Sequence, residues 1–255
     1  MRNTLRVCLI CLSIAALSGC KTNEEKADDF YQSGLSLLAA GDLDRAAVEF
    51  LNVFQHDGFH LDARQKLADI RLQQGDTAAA YSQYLRLIEQ YPDTPQARIT
   101  LAQIAIDNNN WQEARRHGNA AVAIVPDDPA TQSIAAALAY RDASQTNDTA
   151  ALDEIAVTAN ALLSANPTDE VARRIVIDSL IRSKNPATAL PEIDRALARN
   201  PESYPYHTAR LQILTQAQDM AGIGAQLERM VALFPGDPEL TQSLIGWYLA
   251  QDDLE

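Results

Sequence analysis

Residues 74–95 read QGDTAAAYSQYLRLIEQYPDTP, and the order of residue types in this segment recurs along the chain. A Gly75-Asp76 pair comes first, Ala80 follows five residues after the glycine, and Pro92 stands near the end. Glycine tolerates the left-handed conformation that ends a helix, aspartate caps the helix that follows, and alanine lets two helix axes approach. The segment therefore predicts a helix end, a tight turn and a second, closely packed helix.

A turn residue and a proline mark each recurrence, with a spacing of 34 residues. The marks are Gly41, Gly75 and Asn109 for the turn, and Pro92, Pro126, Pro167, Pro201 and Pro235 for the proline. The interval from 126 to 167 is 41 residues, so one repeat holds seven residues more than the others. We expect this excess to lengthen the connection at residues 144–148 and the helix that follows it.

Apolar residues between the marks recur at helical spacing, so each repeat is predicted to be a pair of antiparallel helices. The predicted repeats are 27–60, 61–94, 95–128, 129–169, 170–203 and 204–237, with a terminal helix at 238–255. The expected fold class is all-α, with six helix pairs and a last helix. Either residues 244–249 cover the sixth repeat as a final helix, or the chain is the N-terminal part of a longer array. We favour the second, because the terminal helix would leave apolar surface uncovered.

The residues at fixed positions of each repeat resemble those of the tetratricopeptide (TPR) family, whose period is 34 residues. The small residue of the first helix matches at Gly34, Ala68, Ala102 and Ala136. The alanine of the second helix matches at Ala46, Ala80, Ala114 and Ala189, and its aromatic residue matches at Phe50 and Tyr84. Departures occur at Gly118, Ile177, Leu211 and Ile223. The resemblance implies a right-handed superhelical solenoid whose first helices line a concave groove.

By analogy with that family, polar residues of the first helices are expected to face the groove and bind a protein or peptide. These candidates are Gln65, Asp69, Gln103, Arg174, Asp178 and Gln212. The alternative interpretation is an ordinary solvated surface. One TPR subfamily captures terminal carboxylates with Lys and Asn, but Tyr31 and Leu35 stand at the equivalent first-repeat positions, so this clamp is not expected.

The N-terminus has the pattern of an export signal. Two arginines precede an apolar segment, residues 7–17, which is far shorter than the ~20 residues that cross a bilayer. The sequence LSGC at 17–20 resembles the lipobox of bacterial lipoproteins, which implies that Cys20 is acylated. We therefore expect a signal peptide at 1–19, a lipidated cysteine with a polar tether at 20–26, and an outer-membrane destination because Lys21 follows the cysteine.

Composition and motifs exclude several functions. With 21 basic and 34 acidic residues the net charge is −13, which disfavours nucleic acid as a partner. The sequence contains no phosphate loop, nucleophile elbow or His-Glu-x-x-His motif, so no enzyme activity and no cofactor are predicted. His56 and His60 flank Gly58 and are expected in a solvent-exposed turn rather than a metal site, and Trp111 and Trp247 are expected in the core.

These observations predict a lipid-anchored scaffold on the periplasmic face of a bacterial outer membrane that binds proteins or peptides. Lipoproteins of this kind resemble components of export, exopolysaccharide and envelope-assembly systems, among which the sequence does not choose. The alternative is a targeting module for a catalytic domain beyond residue 255. Saccharide recognition is a third possibility, poorly supported by an aromatic content of 6%.

Overall fold

The computed structural model describes residues 21–252, so the predicted signal peptide and Cys20 lie outside the described residues. Within that range the regular secondary structure is entirely α-helical, which confirms the all-α class. The helices are α1 (Asn23–Ala39), α2 (Leu43–Val53), α3 (Leu61–Gln73), α4 (Thr77–Gln90), α5 (Pro95–Asp107), α6 (Trp111–Ile124), α7 (Pro129–Thr146), α8 (Thr149–Ala165), α9 (Glu170–Arg182), α10 (Pro186–Arg199), α11 (Tyr204–Gln216), α12 (Met220–Leu233) and α13 (Pro238–Asp252).

The contacts divide the chain at residues 109 and 110 into an N-terminal unit and a C-terminal unit. The N-terminal unit contains α1 to α5, and the C-terminal unit contains α6 to α13. In each unit consecutive helices pack together, and in the C-terminal unit α9 also contacts α7 and α11. Among the described residues the main contacts therefore join helices at most two places apart, as expected of stacked helix pairs.

The first helices of successive repeats begin where the proline spacing predicted. Their starts after α1 are Leu61, Pro95, Pro129, Glu170, Tyr204 and Pro238. Aspartate caps placed before proline behave as expected: Asp128 accepts a hydrogen bond from the Thr131 backbone N–H at 3.1 Å, and Asp237 accepts one from that of Leu240 at 3.3 Å.

The turn between the two helices of a repeat uses the same backbone conformation each time. One residue in every such turn has φ between 53° and 77°, and these residues are Gly41, Gly75, Asn109, Asn147, Lys184 and Gln218. The next residue often caps the second helix; Asp76, for example, accepts from the Ala79 backbone N–H at 3.0 Å. The left-handed turn is thus a property of the repeat, and the chain adopts it even at Lys184 and Gln218, where it is costly.

Small residues permit the close packing that the repeat pattern predicted. Ala46, Ala80, Ala114 and Ala189 are fully buried. A Cβ added to Gly34 would lie 2.7 Å from Cε1 of the buried Phe50 ring, so α1 and α2 pack too closely there for a side chain.

Two expectations about lengths were wrong, the second only in part, because the helix after residues 144–148 is longer as expected but the connection is not. The first helix begins at Asn23, inside the predicted 20–26 tether, because Thr22 and Glu25 form a capping box. The seven extra residues of the fourth repeat do not lengthen a connection. Instead α7 has 18 residues where α3, α5, α9 and α11 have 13, and α8 has 17 where α10 and α12 have 14. The turn between them is only Asn147-Asp148.

A polar contact that the sequence did not predict also repeats. The side chains of Arg64, Arg98, Arg173 and His207 each reach the backbone carbonyl six residues earlier, at 2.8, 2.9, 2.5 and 2.8 Å respectively. Three of these side chains also contact a polar residue nineteen positions later on the second helix. The pairs are Arg64 with Gln83, Arg173 with Glu192, and His207 with Gln226. These three side chains therefore connect a loop carbonyl to both helices of the repeat.

None of the helices within residues 21–252 has the length and apolar character needed to cross a membrane.

Candidate functional site

In the N-terminal unit the structure brings Gln65 and Asp69 together on α3. Both side chains are half-buried, and Gln65 Nε2 donates to Asp69 Oδ1 at 2.8 Å. The same carboxylate oxygen accepts from the Tyr84 hydroxyl on α4 at 2.6 Å. Asp69 therefore links the two helices of its repeat.

The third candidate of this unit, Gln103, lies on α5 and is half-buried. It occupies a later first helix than Gln65 and Asp69, as the repeat spacing predicted. Its amide can donate and accept, which suits recognition of a peptide backbone.

In the C-terminal unit Arg174 and Asp178 stand one helical turn apart on α9, with Arg174 half-buried and Asp178 exposed. Asp178 Oδ2 accepts from the Tyr140 hydroxyl of α7 at 2.6 Å. Arg182 Nε in turn donates to the Tyr140 oxygen at 3.2 Å. The exposed carboxylate is therefore held in a network that spans two first helices.

These tyrosine contacts have an electrostatic consequence. Burial, and then the hydrogen bond to Asp69, raise the pKa of Tyr84. Burial, and then the hydrogen bond to Asp178, raise the pKa of Tyr140 in the same way. Both phenols consequently remain neutral and act as hydrogen-bond donors to the neighbouring carboxylates.

The last candidate, Gln212, is exposed on α11. The six predicted residues thus divide into two sets by unit, Gln65, Asp69 and Gln103 in one and Arg174, Asp178 and Gln212 in the other. Their role in binding stays a prediction.

The histidine pair differs from expectation. His56 and His60 are half-buried, not solvent-exposed: His56 stacks on Phe30 with ring centroids 5.7 Å apart, and His60 lies 4.6 Å from Tyr31. His60 also caps α3 by accepting from the Ala63 backbone N–H. Within residues 21–252 no group of three or more His, Cys, Asp or Glu side chains is arranged to hold a metal ion.

A cleft in the C-terminal unit was not predicted from the sequence. It has a volume of about 590 Å³ and lies between α6 and the C-terminal end of α7. Its lining residues are Trp111, Gln112, Arg115, Arg116, Asn119, Arg141, Asp142 and Gln145. Trp111, expected in the core, instead lies half-buried with the Arg141 guanidinium carbon 5.3 Å from its ring centroid.

The fold and the repeated turn define the chain as a helical-repeat protein. The tetratricopeptide repeat family model matches residues 65–129 and 177–238, about half of the sequence. The chain therefore belongs to the tetratricopeptide repeat family, which confirms the family indicated by the repeat pattern. Membership of this family supports a scaffold for protein–protein interaction as the general class of function.

Solved structures show the same fold at low identity. The chain is 14% identical to one from the Cut9–Hcn1 hetero-tetramer of the APC/C, with a TM-score of 0.65, and it covers 96% of the present chain but 46% of the other. The present chain thus spans less than half the length of that protein.

Two bacterial structures match the present chain over most of their own length. A tetratricopeptide repeat protein from Parabacteroides merdae has a TM-score of 0.56 at 13% identity, covering 87% of the present chain and 89% of the other. PilF from Pseudomonas aeruginosa has a TM-score of 0.55 at 14% identity, covering 88% and 99% respectively. No curated protein sequence matches the chain.

Proposed function

We propose that the chain is a lipid-anchored scaffold on the periplasmic face of a bacterial outer membrane that binds proteins or peptides through its first helices. The observation that carries the binding proposal is the pair Arg174 and Asp178, one turn apart on α9, with Asp178 exposed and oriented by Tyr140. A charge pair whose exposed carboxylate is oriented in this way supports recognition of a complementary polar segment. One structure with the same fold comes from a hetero-tetramer, Cut9–Hcn1 of the APC/C.

The anchor proposal is supported by the sequence LSGC at residues 17–20 and by the apolar segment before it. Export, exopolysaccharide secretion and envelope assembly are the settings that fit such a scaffold. The proposal gives the chain no catalytic step and no cofactor.

Binding is tested by retention of envelope proteins on the purified chain and on a variant with exchanged charges, Arg174→Glu with Asp178→Arg. A partner protein retained by the unaltered chain should be lost from this variant. The matched control, Arg199→Glu with Glu202→Arg, exchanges two exposed charges of the same unit and should retain it. Tyr140→Phe removes the hydrogen bond that orients Asp178 but keeps the Asp178 charge, so it separates the contact of Asp178 with α7 from its role at the surface. Equal retention by both charge-exchange variants would contradict the proposal.

The anchor is tested by metabolic labelling with an alkyne fatty acid followed by membrane fractionation. The unaltered chain should carry the label and sediment with outer membranes, and Cys20→Ser should lose both properties. A Lys21→Asp variant should keep the label and move to the inner membrane. An unlabelled wild-type chain would overturn the anchor without bearing on peptide binding.

A further inference from the structure

The cleft between α6 and α7 gathers positive charge in an acidic protein. Three of its lining residues are arginines, Arg115, Arg116 and Arg141, in a chain whose net charge is −13. Two of them have partners: Arg115 pairs with Asp142 at 2.6 Å, and Arg116 lies 3.4 Å from Glu113. Three guanidinium groups are thus balanced by two carboxylates, of which only Asp142 lines the cleft, and the cleft keeps an excess of positive charge.

The third guanidinium, that of Arg141, is the one that lacks a carboxylate. Its Nε is buried and has no hydrogen-bond partner among residues 21–252, and its contact is with the face of Trp111. A buried donor without a partner is costly, and native structures satisfy the large majority of such side-chain groups. A half-buried cation stacked on an aromatic ring is held in one orientation, which prepares it for an anion.

The extra residues of the fourth repeat lengthen the cleft wall on which Arg141 lies. The other first helices α3, α5, α9 and α11 have 13 residues, whereas α7 has 18, so its last five residues, 142–146, run beyond the common length. Asp142 and Gln145 of this extension line the cleft, and Arg141 precedes it directly. The repeat therefore carries a binding feature that the standard repeat lacks.

The chemistry of the lining favours a peptide over a polyanion. The small excess of charge suits one or two carboxylates, and the acidic surface of the chain repels a longer polyanion. Planar guanidinium groups match carboxylates in a bidentate geometry. The amides of Gln112, Asn119 and Gln145 both donate and accept, as the alternating groups of an extended peptide backbone require.

We propose that this cleft binds an acidic peptide segment of a partner protein, with Arg141 and Arg116 contacting its carboxylates. Trp111 holds the Arg141 guanidinium in place, and the lining amides contact the peptide backbone. The site is separate from Arg174 and Asp178 of α9, so it extends the proposed scaffold function and can fail independently of it.

The test is fluorescence anisotropy of a short labelled peptide of alternating glycine and glutamate, titrated with the purified protein at low ionic strength. The peptide should bind, and its glutamine analogue should bind at least about tenfold more weakly. Arg141→Ala and the exposed Arg116→Ala should each weaken binding of the glutamate peptide by about tenfold. Arg141→Lys, which keeps the charge but removes the planar fork, should also weaken it. The control Arg229→Ala removes an exposed arginine of the same unit and should change binding less than twofold.

A second readout localises the peptide. In a Trp247→Phe variant Trp111 is the remaining tryptophan, and its fluorescence should change with the peptide concentration that saturates anisotropy. Equal affinities for Arg141→Ala and Arg229→Ala would overturn the proposal. So would binding of inorganic phosphate or of phosphatidylglycerol vesicles in place of the peptide. Loss of binding by the α9 charge-exchange variant alone would place the peptide at the other site and would also overturn it.

Discussion

Gly34 lies against the ring of Phe50, and this contact shows how little space the repeat leaves between its helices. The ring is fully buried, so it cannot move aside when a methyl group is added. The same close approach recurs between Gly224 of α12 and Trp247 of α13, where an added Cβ would lie 2.5 Å from the indole Cζ2. At both positions the absence of a side chain is a packing requirement.

We expect Gly34→Ala to lower the free energy of unfolding by about 1 kcal/mol. Overpacking against Phe50 costs ~1–3 kcal/mol, and the better helix propensity of alanine returns ~1 kcal/mol. The matched control is Gly246→Ala, also inside a helix, where an added Cβ meets nothing within 4 Å. Urea denaturation should show opposite signs for the two variants, and stabilisation by Gly34→Ala would contradict the packing explanation.

At the left-handed turn residues, substitution is predicted to raise the free energy of unfolding. Lys184 and Gln218 hold φ of 53° and 56°, a conformation that costs an L-residue about 1 kcal/mol or more. Lys184→Gly and Gln218→Gly should each raise the unfolding free energy by about 0.5–1 kcal/mol. The reverse change, Gly75→Ala, should lower it by a similar amount. Thermal melting of the three variants checks this, and a destabilised Lys184→Gly would mean that the lysine side chain contributes to folding.

At the scale of the element, each helix pair is joined by a polar contact as well as by apolar packing. The clearest case is Arg173 of α9, whose side chain is 2% exposed and pairs with Glu192 of α10 and Glu170 of its own helix. It also donates to the Pro167 carbonyl at 2.5 Å. Burial of this charge is tolerated because every part of the guanidinium has an acceptor.

Arg173→Met should therefore lower the free energy of unfolding by about 3–5 kcal/mol, since it leaves the Glu192 carboxylate without its buried partner. The double variant Arg173→Met with Glu192→Leu should recover most of that loss, because both charges are then removed. Arg195→Ala removes the exposed partner of the same carboxylate and should cost less than about 1 kcal/mol. Additive losses in the double variant, measured by urea denaturation, would show that the pair is not coupled.

Much of the element pattern could be predicted from the sequence, for reasons that individual residues make clear. Proline, glycine and aspartate restrict the backbone locally, so helix starts at Pro95, Pro129 and Pro238 could be read directly. Lys184 and Gln218 gave no such signal, because neither side chain favours the left-handed turn that the repeat imposes on it. The Arg173 contacts depend on residues nineteen positions away and could be found only by comparing repeats in register.

The candidate site was predictable to a smaller extent. Positions such as Gln65 and Arg174 follow from family register, but register does not indicate that Tyr84 and Tyr140 bind the neighbouring carboxylates. The cleft escaped prediction because the seven extra residues were expected to lengthen a connection and the helix after it, whereas they extend the helices on both sides of the turn. Length alone does not say whether an insertion becomes loop or helix.

At the scale of the molecule, stability should be distributed over neighbouring interfaces. The main contacts join helices close in sequence, so a local change should loosen only its own neighbourhood.

Gly224→Ala tests this within the C-terminal unit. The clash with Trp247 should increase amide hydrogen exchange in α12 and α13 by at least tenfold and leave α7 and α8 unchanged. Exchange measured by mass spectrometry with peptide resolution distinguishes the helices. A uniform increase from α7 to α13 would instead indicate one cooperative folding unit.

The long helix pair of the fourth repeat has a consequence for how such a protein can diversify. An extension of five residues adds about 7.5 Å to α7 while the helix starts on either side keep their phase. Because neighbouring interfaces are undisturbed, a fourth repeat shortened by these five residues would leave a complete scaffold that keeps Arg141 and lacks the part of the cleft wall formed by Asp142 and Gln145. Related proteins could therefore gain or lose this five-residue extension in evolution without changing the packing between the other repeats.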